Sequence, residues 1–197
     1  MVDDSLTEKL VSSSNIYVGK VCNLRRDMVI LPNGRIIDRE VVDHPGAVAI
    51  IPIVNGKIVL IRQFRQAAGK VLCELPAGTL RRGEEADKCA ARELEEETGY
   101  VAGNLRRLFH CYLAPGYSTE VIHFYLATNL EQVGSKTDQD EFIEVLTVTK
   151  EKALRMIKSN EIEDAKTICG ILMFERNFFK EFKYFDDKVH LDHILFK

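Results

Sequence analysis

The stretch GTLRRGEEADKCAARELEEETGY, from Gly78 to Tyr100, decides the fold of this chain. Strong helix formers fill its second half, and Gly99 stands where a helix commonly ends in the left-handed conformation that glycine tolerates. We therefore expect a helix over 84–98. Its apolar residues Ala90, Ala91 and Leu94 are expected to face a sheet.

Acidic residues crowd this helix. At 3.6 residues per turn, Glu93 and Glu97 lie one above the other with Glu96 beside them, on a face that we expect to be exposed. Three neighbouring carboxylates repel one another, and they suit a hard divalent cation such as Mg²⁺ or Mn²⁺. The alternative is a solvated helix face in an acidic chain.

The spacing of particular residues in this stretch closely resembles the signature of the Nudix hydrolase family. The matching positions are Gly78, Glu84, Arg92, Glu93, Leu94, Glu96, Glu97 and Gly99. The resemblance implies an α/β fold, an α/β/α sandwich with a mixed sheet. It also implies hydrolysis of nucleoside diphosphates linked to another moiety.

The resemblance assigns roles within the signature. Glu93 and Glu97 are implied as metal ligands, and Glu96 supports the same cluster. The backbone carbonyl of Ala77 is implied as a further ligand, and Arg92 orients the carboxylates by charge-assisted hydrogen bonds.

Flanking segments are similar to the ADP-ribose pyrophosphatase branch of that family. They are REVVDHPGAVAIIP, LIRQFRQAAGK, ELPAG, YLAPGYSTE and EIEDAKT. Pro115 lies 16 residues after Gly99, at the branch's hallmark position, and Glu120 also matches. By the same resemblance, Arg65 meets the substrate phosphates, and Arg39 approaches the adenine, often from the partner subunit.

The family's catalytic acid outside the signature lies in an acidic loop, here TDQDEFIEV, where Gln139 replaces one usual glutamate. The remaining candidates for a general base are Asp138, Asp140, Glu141 and Glu144. We select Glu141, and a charged surface loop is the alternative.

The expected activity is Mg²⁺-dependent hydrolysis of ADP-ribose or a related nucleoside diphosphate sugar by a homodimer. Lys20 and Val21 replace an aromatic residue that stacks on adenine in some relatives. A GDP-sugar or a dinucleoside polyphosphate therefore stays an alternative substrate. A noncatalytic ligand sensor is a third hypothesis, although such a protein would be expected to lose parts of the signature.

The rest of the chain indicates two regions. Residues 1–43 are expected to form an N-terminal strand and hairpin extension that serves as a dimerisation arm, and residues 44–197 the Nudix hydrolase domain. The hairpin would join 16–31 to 35–43 through Asn33 and Gly34.

A second Asn-Gly pair, at 55–56, separates two apolar strands, 47–54 and 57–63. Further strands are expected at 121–128 and 142–148, and helices at 150–158 and at 164 to about 182, with Thr149 and Asp164 as caps.

Composition excludes other classes of function. The 197 residues are 46% hydrophobic and 29% charged, as in an ordinary globular protein. The net charge of −3 gives no basic surplus for nucleic acid. The longest apolar run, AVAIIPIV, is too short to span a membrane, and MVDDSLTEKL lacks the features of a signal peptide. A cytoplasmic location is therefore expected.

Overall fold

The structure is a computed structural model that describes residues 4–134 and 142–175. The chain divides into two compact units. The first comprises Met1–Gly46 with Cys111–Val121, and the second comprises Ala47–His110 with Ile122–Lys197. The first unit thus contains the N-terminal extension together with a segment from the middle of the chain.

The first unit is built on a three-stranded antiparallel sheet. After a short 3₁₀ turn at Asp4–Leu6, the strands are β1 (Lys9–Val18), β2 (Asn23–Ile30) and β3 (Ile36–Asp43), in the order β1-β2-β3. The expected hairpin is confirmed, because Gly34 has a φ of 82° in the turn between β2 and β3. The single strand-like stretch expected at 16–31 is wrong, since it contains a turn that separates β1 from β2.

The second unit contains a seven-stranded mixed sheet. Its strands are β4 (Ala47–Val54), β5 (Lys57–Arg65), β6 (Lys70–Glu74), β7 (Ala77–Thr79), β8 (Tyr100–Tyr112), β9 (Val121–Gln132) and β10 (Ile143–Val148). The main order is β10-β5-β4-β9-β8, with β6 paired to β5 and β7 paired to β4. β4 runs parallel to β9 and antiparallel to β5 and β7, which confirms the mixed sheet.

The Asn-Gly turn between β4 and β5 is also confirmed. Asn55 and Gly56 have φ values of 49° and 71°, so both central residues adopt the left-handed conformation of a tight hairpin. The turn makes two buried, apolar segments neighbours in the sheet.

Within residues 4–134 and 142–175, three helices cover the sheet, namely α1 (Ala86–Thr98), α2 (Lys150–Lys158) and α3 (Ala165–Glu175). Val48 and Ile50 of β4 pack in a core with α1, whereas Ile51 and Ile53 pack in a second core with α2 and α3. Because alternate residues of a strand point to opposite faces, β4 is buried on both sides. The α/β/α sandwich is confirmed. No helix in the described ranges has the length and apolar character needed to cross a membrane.

Within the described residues the helix ends largely follow the sequence, and the end of the last helix, expected at about 182, lies outside them. α1 begins two residues later than expected and ends at Gly99, whose φ is 72°. Ala90 and Leu94 are buried as expected, but Ala91 is exposed and Cys89 is buried instead. The hydroxyl of Thr149 accepts a hydrogen bond from the Lys152 N–H, and the carboxylate of Asp164 accepts one from the Thr167 N–H, so both expected caps are confirmed.

Candidate active site

Arg92 lies at the centre of the signature carboxylates. Its Nε and Nη2 donate to the two oxygens of Glu84 at 2.9 and 3.0 Å. Its Nη1 donates to Glu93 Oε1 at 2.6 Å and to Glu96 Oε2 at 2.8 Å. One guanidinium therefore binds three carboxylates that would otherwise repel one another.

These contacts change the acidity of the cluster. Hydrogen bonding from Arg92 lowers the pKa of Glu84 from an ordinary 4.5 to about 2, against the opposing effect of burial. In turn, the hydrogen bonds to Glu84 are the main reason why the pKa of Arg92 is raised well above its usual value. Both side chains are therefore charged throughout the physiological pH range.

The loop before the helix contacts the other signature carboxylates. Glu97 Oε2 accepts a hydrogen bond of 2.9 Å from the backbone N–H of Ala77. Glu97 is only 3% exposed, so the expectation that this face of the helix is exposed is wrong for Glu97. The side chain is buried because the β7 segment packs directly against α1.

Gly78 is required by a close approach of Glu93 to the backbone. A Cβ at position 78 would lie 1.9 Å from Glu93 Cδ and 2.0 Å from Glu93 Oε1. Any other residue would therefore displace the Glu93 carboxylate. Glycine is needed here because it has no side chain to clash with Glu93, and not because the backbone has a positive φ.

The chemistry of the donor set fits a hard divalent cation. Glu93, Glu96 and Glu97 offer carboxylate oxygens, and the Ala77 carbonyl lies on the segment that touches Glu97. Oxygen donors of this kind are preferred by Mg²⁺ and Mn²⁺. Across residues 4–134 and 142–175, no three acidic, histidine or cysteine side chains already surround one metal position. In this conformation Arg92 bridges Glu93 and Glu96 instead.

Arg65, at the end of β5, is held by a buried carboxylate. Its Nε and Nη2 donate to Glu74 Oε1 and Oε2 at 2.8 and 2.9 Å. Hydrogen bonding to Glu74 raises the pKa of Arg65 despite burial, and the negative charges of Glu74, Glu97 and Asp164 raise it further. Glu74, which holds Arg65, lies three residues before Ala77, whose N–H binds the signature residue Glu97.

Three other candidates lie in the first unit. Arg39 is an exposed residue of β3, and its Nη2 donates to Glu8 Oε1 at 2.5 Å. Pro115 and Glu120 lie in a loop that is hydrogen-bonded to the end of β3, where the Thr119 N–H donates to the Val42 carbonyl at 3.0 Å. The structure therefore places the loop beside the strand that carries Arg39.

The proposed general base is outside the described residues. Glu141 lies there together with its alternatives Asp138 and Asp140. Glu144 is described, and its exposed carboxylate accepts a hydrogen bond of 2.8 Å from Arg62 across the β5–β10 pair.

Sequence reasoning assigned no role to Glu74 or Lys166, although both lie in quoted segments, ELPAG and EIEDAKT. The Lys166 ammonium donates to Glu74 Oε2, the oxygen that also accepts the hydrogen bond from Arg65 Nη2. Lys166 lies 92 residues from Glu74 in the sequence, so only the match of both segments to one family branch could have singled out the pair.

Comparisons with known proteins agree with this geometry. Residues 43–170 match the NUDIX domain, and residues 8–42 match the nucleoside diphosphate sugar hydrolase N-terminal domain. The chain is 45% identical over 170 residues to the ADP-ribose pyrophosphatase of Bacillus subtilis (strain 168), covering 85% of this chain and 92% of that protein. It is 38% identical over 149 residues to the GDP-mannose pyrophosphatase of Salmonella arizonae, covering 69% and 78%.

A solved structure supports the fold independently. The crystal structure of an ADP compounds hydrolase matches with a TM-score of 0.78 at 20% sequence identity, covering 90% of this chain and 97% of that one. The NUDIX match spans more than half of the chain and includes the carboxylates gathered by Arg92. This chain therefore belongs to the Nudix hydrolase family.

Proposed function

We propose that this protein hydrolyses the diphosphate bond of ADP-ribose or a related nucleoside diphosphate sugar in a Mg²⁺-dependent reaction. The products are a nucleoside monophosphate and a sugar phosphate. One observation carries the proposal: the segment 74–78 binds Arg65 at one end, through the Glu74 carboxylate, and the signature residue Glu97 at the other, through the Ala77 N–H. A diphosphate needs both a cationic partner and a metal-binding carboxylate set at the same place.

The relatives support the substrate class. One relative, at 45% identity, is named an ADP-ribose pyrophosphatase, and its match covers 85% of this chain. The N-terminal match, over residues 8–42, is to a domain of nucleoside diphosphate sugar hydrolases. We therefore expect the present chain to act on the same substrate class.

Each candidate residue has a role in the proposed reaction. Glu93, Glu96, Glu97 and the Ala77 carbonyl would hold Mg²⁺, with Mn²⁺ as a possible substitute. Such a cation supplies charge screening of the diphosphate and activation of the attacking water. Arg92 orients the carboxylates through its hydrogen bonds to Glu93 and Glu96.

Two side chains of the protein would bind the substrate and accept the proton. Arg65 binds a diphosphate oxygen, and Glu141 accepts the proton of the attacking water. The water oxygen forms a bond to one phosphorus while the bond from that phosphorus to the bridging oxygen breaks. By the family resemblance, Arg39, Pro115 and Glu120 would contact the rest of the substrate.

A GDP-sugar is the second candidate substrate. Its support is the relative from Salmonella arizonae, named a GDP-mannose pyrophosphatase, at 38% identity. Lys20 and Val21, both exposed in the turn between β1 and β2, offer no aromatic ring for stacking on adenine. The preference for adenine or guanine in the substrate therefore depends on residues other than these two.

We also propose a homodimer in which the N-terminal sheet contacts the partner. All ten residues of β1 are exposed, and they include the large apolar side chains of Leu10, Ile16, Tyr17 and Val18. An exposed edge strand with this many apolar side chains favours association with a second chain. Exposed Arg39, two strands away, would then be available to the partner's substrate.

A substrate panel tests the function. Metal-free protein is incubated with ADP-ribose, GDP-mannose or diadenosine polyphosphates, with and without added Mg²⁺, and all products are resolved by chromatography. We expect Mg²⁺-dependent formation of AMP and ribose 5-phosphate from ADP-ribose. Preferred cleavage of GDP-mannose would support the second candidate. Absence of turnover on the whole panel would instead favour the noncatalytic sensor.

A further inference from the structure

Arg65 is fixed in orientation by a single buried residue. Glu74 is 1% exposed and binds Nε and Nη2 of Arg65 through both of its carboxylate oxygens. This bidentate geometry fixes the plane of the guanidinium. Within the described part of the chain, Arg65 Nη1 has no hydrogen-bond partner, and the side chain is 37% exposed. The guanidinium therefore keeps donors available for an anion.

Glu74 is also bound by a second cation. Lys166 of α3 donates to Glu74 Oε2, and its ammonium also lies 3.0 Å from Asp164 Oδ1. Burial raises the pKa of Glu74, but the hydrogen bonds and charges of Arg65 and Lys166 outweigh it, so the net pKa is lowered. Two cations and two carboxylates thus form one compact, charge-balanced network.

The start of α3 also fixes the backbone next to Glu74. The hydroxyl of Thr167 accepts a hydrogen bond of 2.8 Å from the Leu75 N–H and donates to Asp164 Oδ2. Gly170, one turn further, allows close packing, because a Cβ there would lie 2.6 Å from Leu75 Cδ1. The segment EIEDAKT therefore supports the segment ELPAG.

The same segment reaches the signature. Three residues after Glu74, the Ala77 N–H binds Glu97, and Gly78 makes room for Glu93. A run of five residues thus contacts Arg65 at one end and the signature carboxylates at the other. A displacement of Glu74 would change the position of Arg65 relative to these carboxylates.

We propose that Glu74 is a positioning residue that holds Arg65 for the substrate diphosphate, and that Lys166 holds Glu74 for this purpose. The inference rests on the proposed function, because it deepens the role of Arg65 in that site. Since Arg65 would contact the diphosphate both before and during the reaction, loss of its orientation should weaken binding more than turnover.

The test is a double-mutant cycle in KM. Glu74→Gln should raise the KM for the preferred nucleoside diphosphate sugar about tenfold, with kcat changed by less than about threefold. The Arg65→Ala and Arg65→Ala/Glu74→Gln variants should have the same KM within about twofold, since Glu74 acts only through Arg65. The matched control is Glu163→Gln, an exposed carboxylate paired with Lys70, which should leave KM unchanged.

A charge-balanced variant separates a loss of Arg65 orientation from a loss of folding. Glu74→Gln alone leaves the half-buried Lys166 without one of its two carboxylate partners, whereas Glu74→Gln/Lys166→Met removes one charge of each sign. This variant should fold and show the same rise in KM. If both variants melt as the wild type does and keep its KM, the inference is overturned and the proposed function stands.

The inference would also be overturned if the KM of Arg65→Ala/Glu74→Gln rose by the product of the two single-variant increases. Glu74 would then act independently of Arg65. Binding of Mg²⁺ and α,β-methylene-ADP, measured by calorimetry, separates this failure from a failure of the function. A wild-type protein that neither cleaves the substrate panel nor binds this diphosphate would overturn the proposed function and the inference with it.

Discussion

Glu97 accepts a hydrogen bond of 2.9 Å from the backbone N–H of Ala77, a residue that lies 20 positions earlier in the chain. The contact joins the end of α1 to β7 and buries the carboxylate. This relationship makes Glu97 the most informative position for testing the site.

Glu97→Gln should abolish most of the activity while the fold remains. The amide oxygen of glutamine can still accept the Ala77 N–H, so the melting temperature should change by less than about 3 °C. The loss of a ligand charge should lower turnover by about 100-fold or more. Glu85→Gln is the control, because its side chain is 71% exposed and pairs with Lys88. Normal turnover in a stable Glu97→Gln protein would exclude the metal role.

Gly78→Ala should damage the site more than the fold. The added methyl group would force the Glu93 side chain away, and that side chain is flexible enough to move at little cost in stability. We expect turnover to fall about 100-fold with a small change in melting temperature. Gly56→Ala is the matched comparison, since its φ of 71° is strained for alanine but nothing lies within 4 Å. It should lower the melting temperature by about 2–4 °C and leave activity intact.

Glu84 should contribute to stability only above acidic pH. Its pKa is about 2 in the folded protein against an ordinary 4.5, so the unfolded chain binds a proton first as the pH falls. The stabilisation is therefore complete above about pH 5 and is lost between pH 4.5 and 2. In metal-free protein, Glu84→Gln should melt about 5 °C lower at pH 7, and the difference should vanish near pH 2. A difference that is constant with pH would contradict the assignment.

Glu141→Gln should lower kcat strongly and leave KM nearly unchanged. A general base acts mainly in the transition state, so its removal affects turnover rather than substrate binding. We expect a loss of about 100-fold or more. Asp140→Asn and Glu144→Gln are the comparisons, and a larger loss from either would move the role to that residue.

The protein should be a homodimer that depends on β1. Light scattering should give about twice 22.4 kDa for the wild type. Val18→Asp, on an exposed strand, should shift the mass to that of the monomer, because a buried carboxylate at an interface is costly. Val133→Asp, also exposed but in the second unit, should keep the dimer.

The two-fold arrangement would place Arg39 of each chain at the partner's site. Mixing Arg39→Ala with Glu97→Gln and allowing subunits to exchange should then restore one working site per heterodimer. A fully active monomer would rule out both the dimer and the role of Arg39 in trans.

Local conformational preferences made several elements predictable from the sequence. The Asn-Gly turns at 33–34 and 55–56 and the end of α1 at Gly99 depend on residues that tolerate a positive φ. The cap at Thr149 depends on a hydroxyl three residues before its donor. Such preferences act within a few residues, so they operate whatever the rest of the chain does. The short strands β6 and β7 depend on pairing with β5 and β4, and no local pattern indicated them.

The sequence by itself predicted which carboxylates form the candidate metal site, because the spacing from Gly78 to Gly99 places them on one helix with Arg92 among them. Only the tertiary structure decided that Glu97 is buried under Ala77, since packing of β7 on α1 excludes water there. It also decided that Arg65, Glu74 and Lys166 form one network. Lys166 is 92 residues from Glu74, and contacts over such separations arise only when the sheet and α3 have packed together.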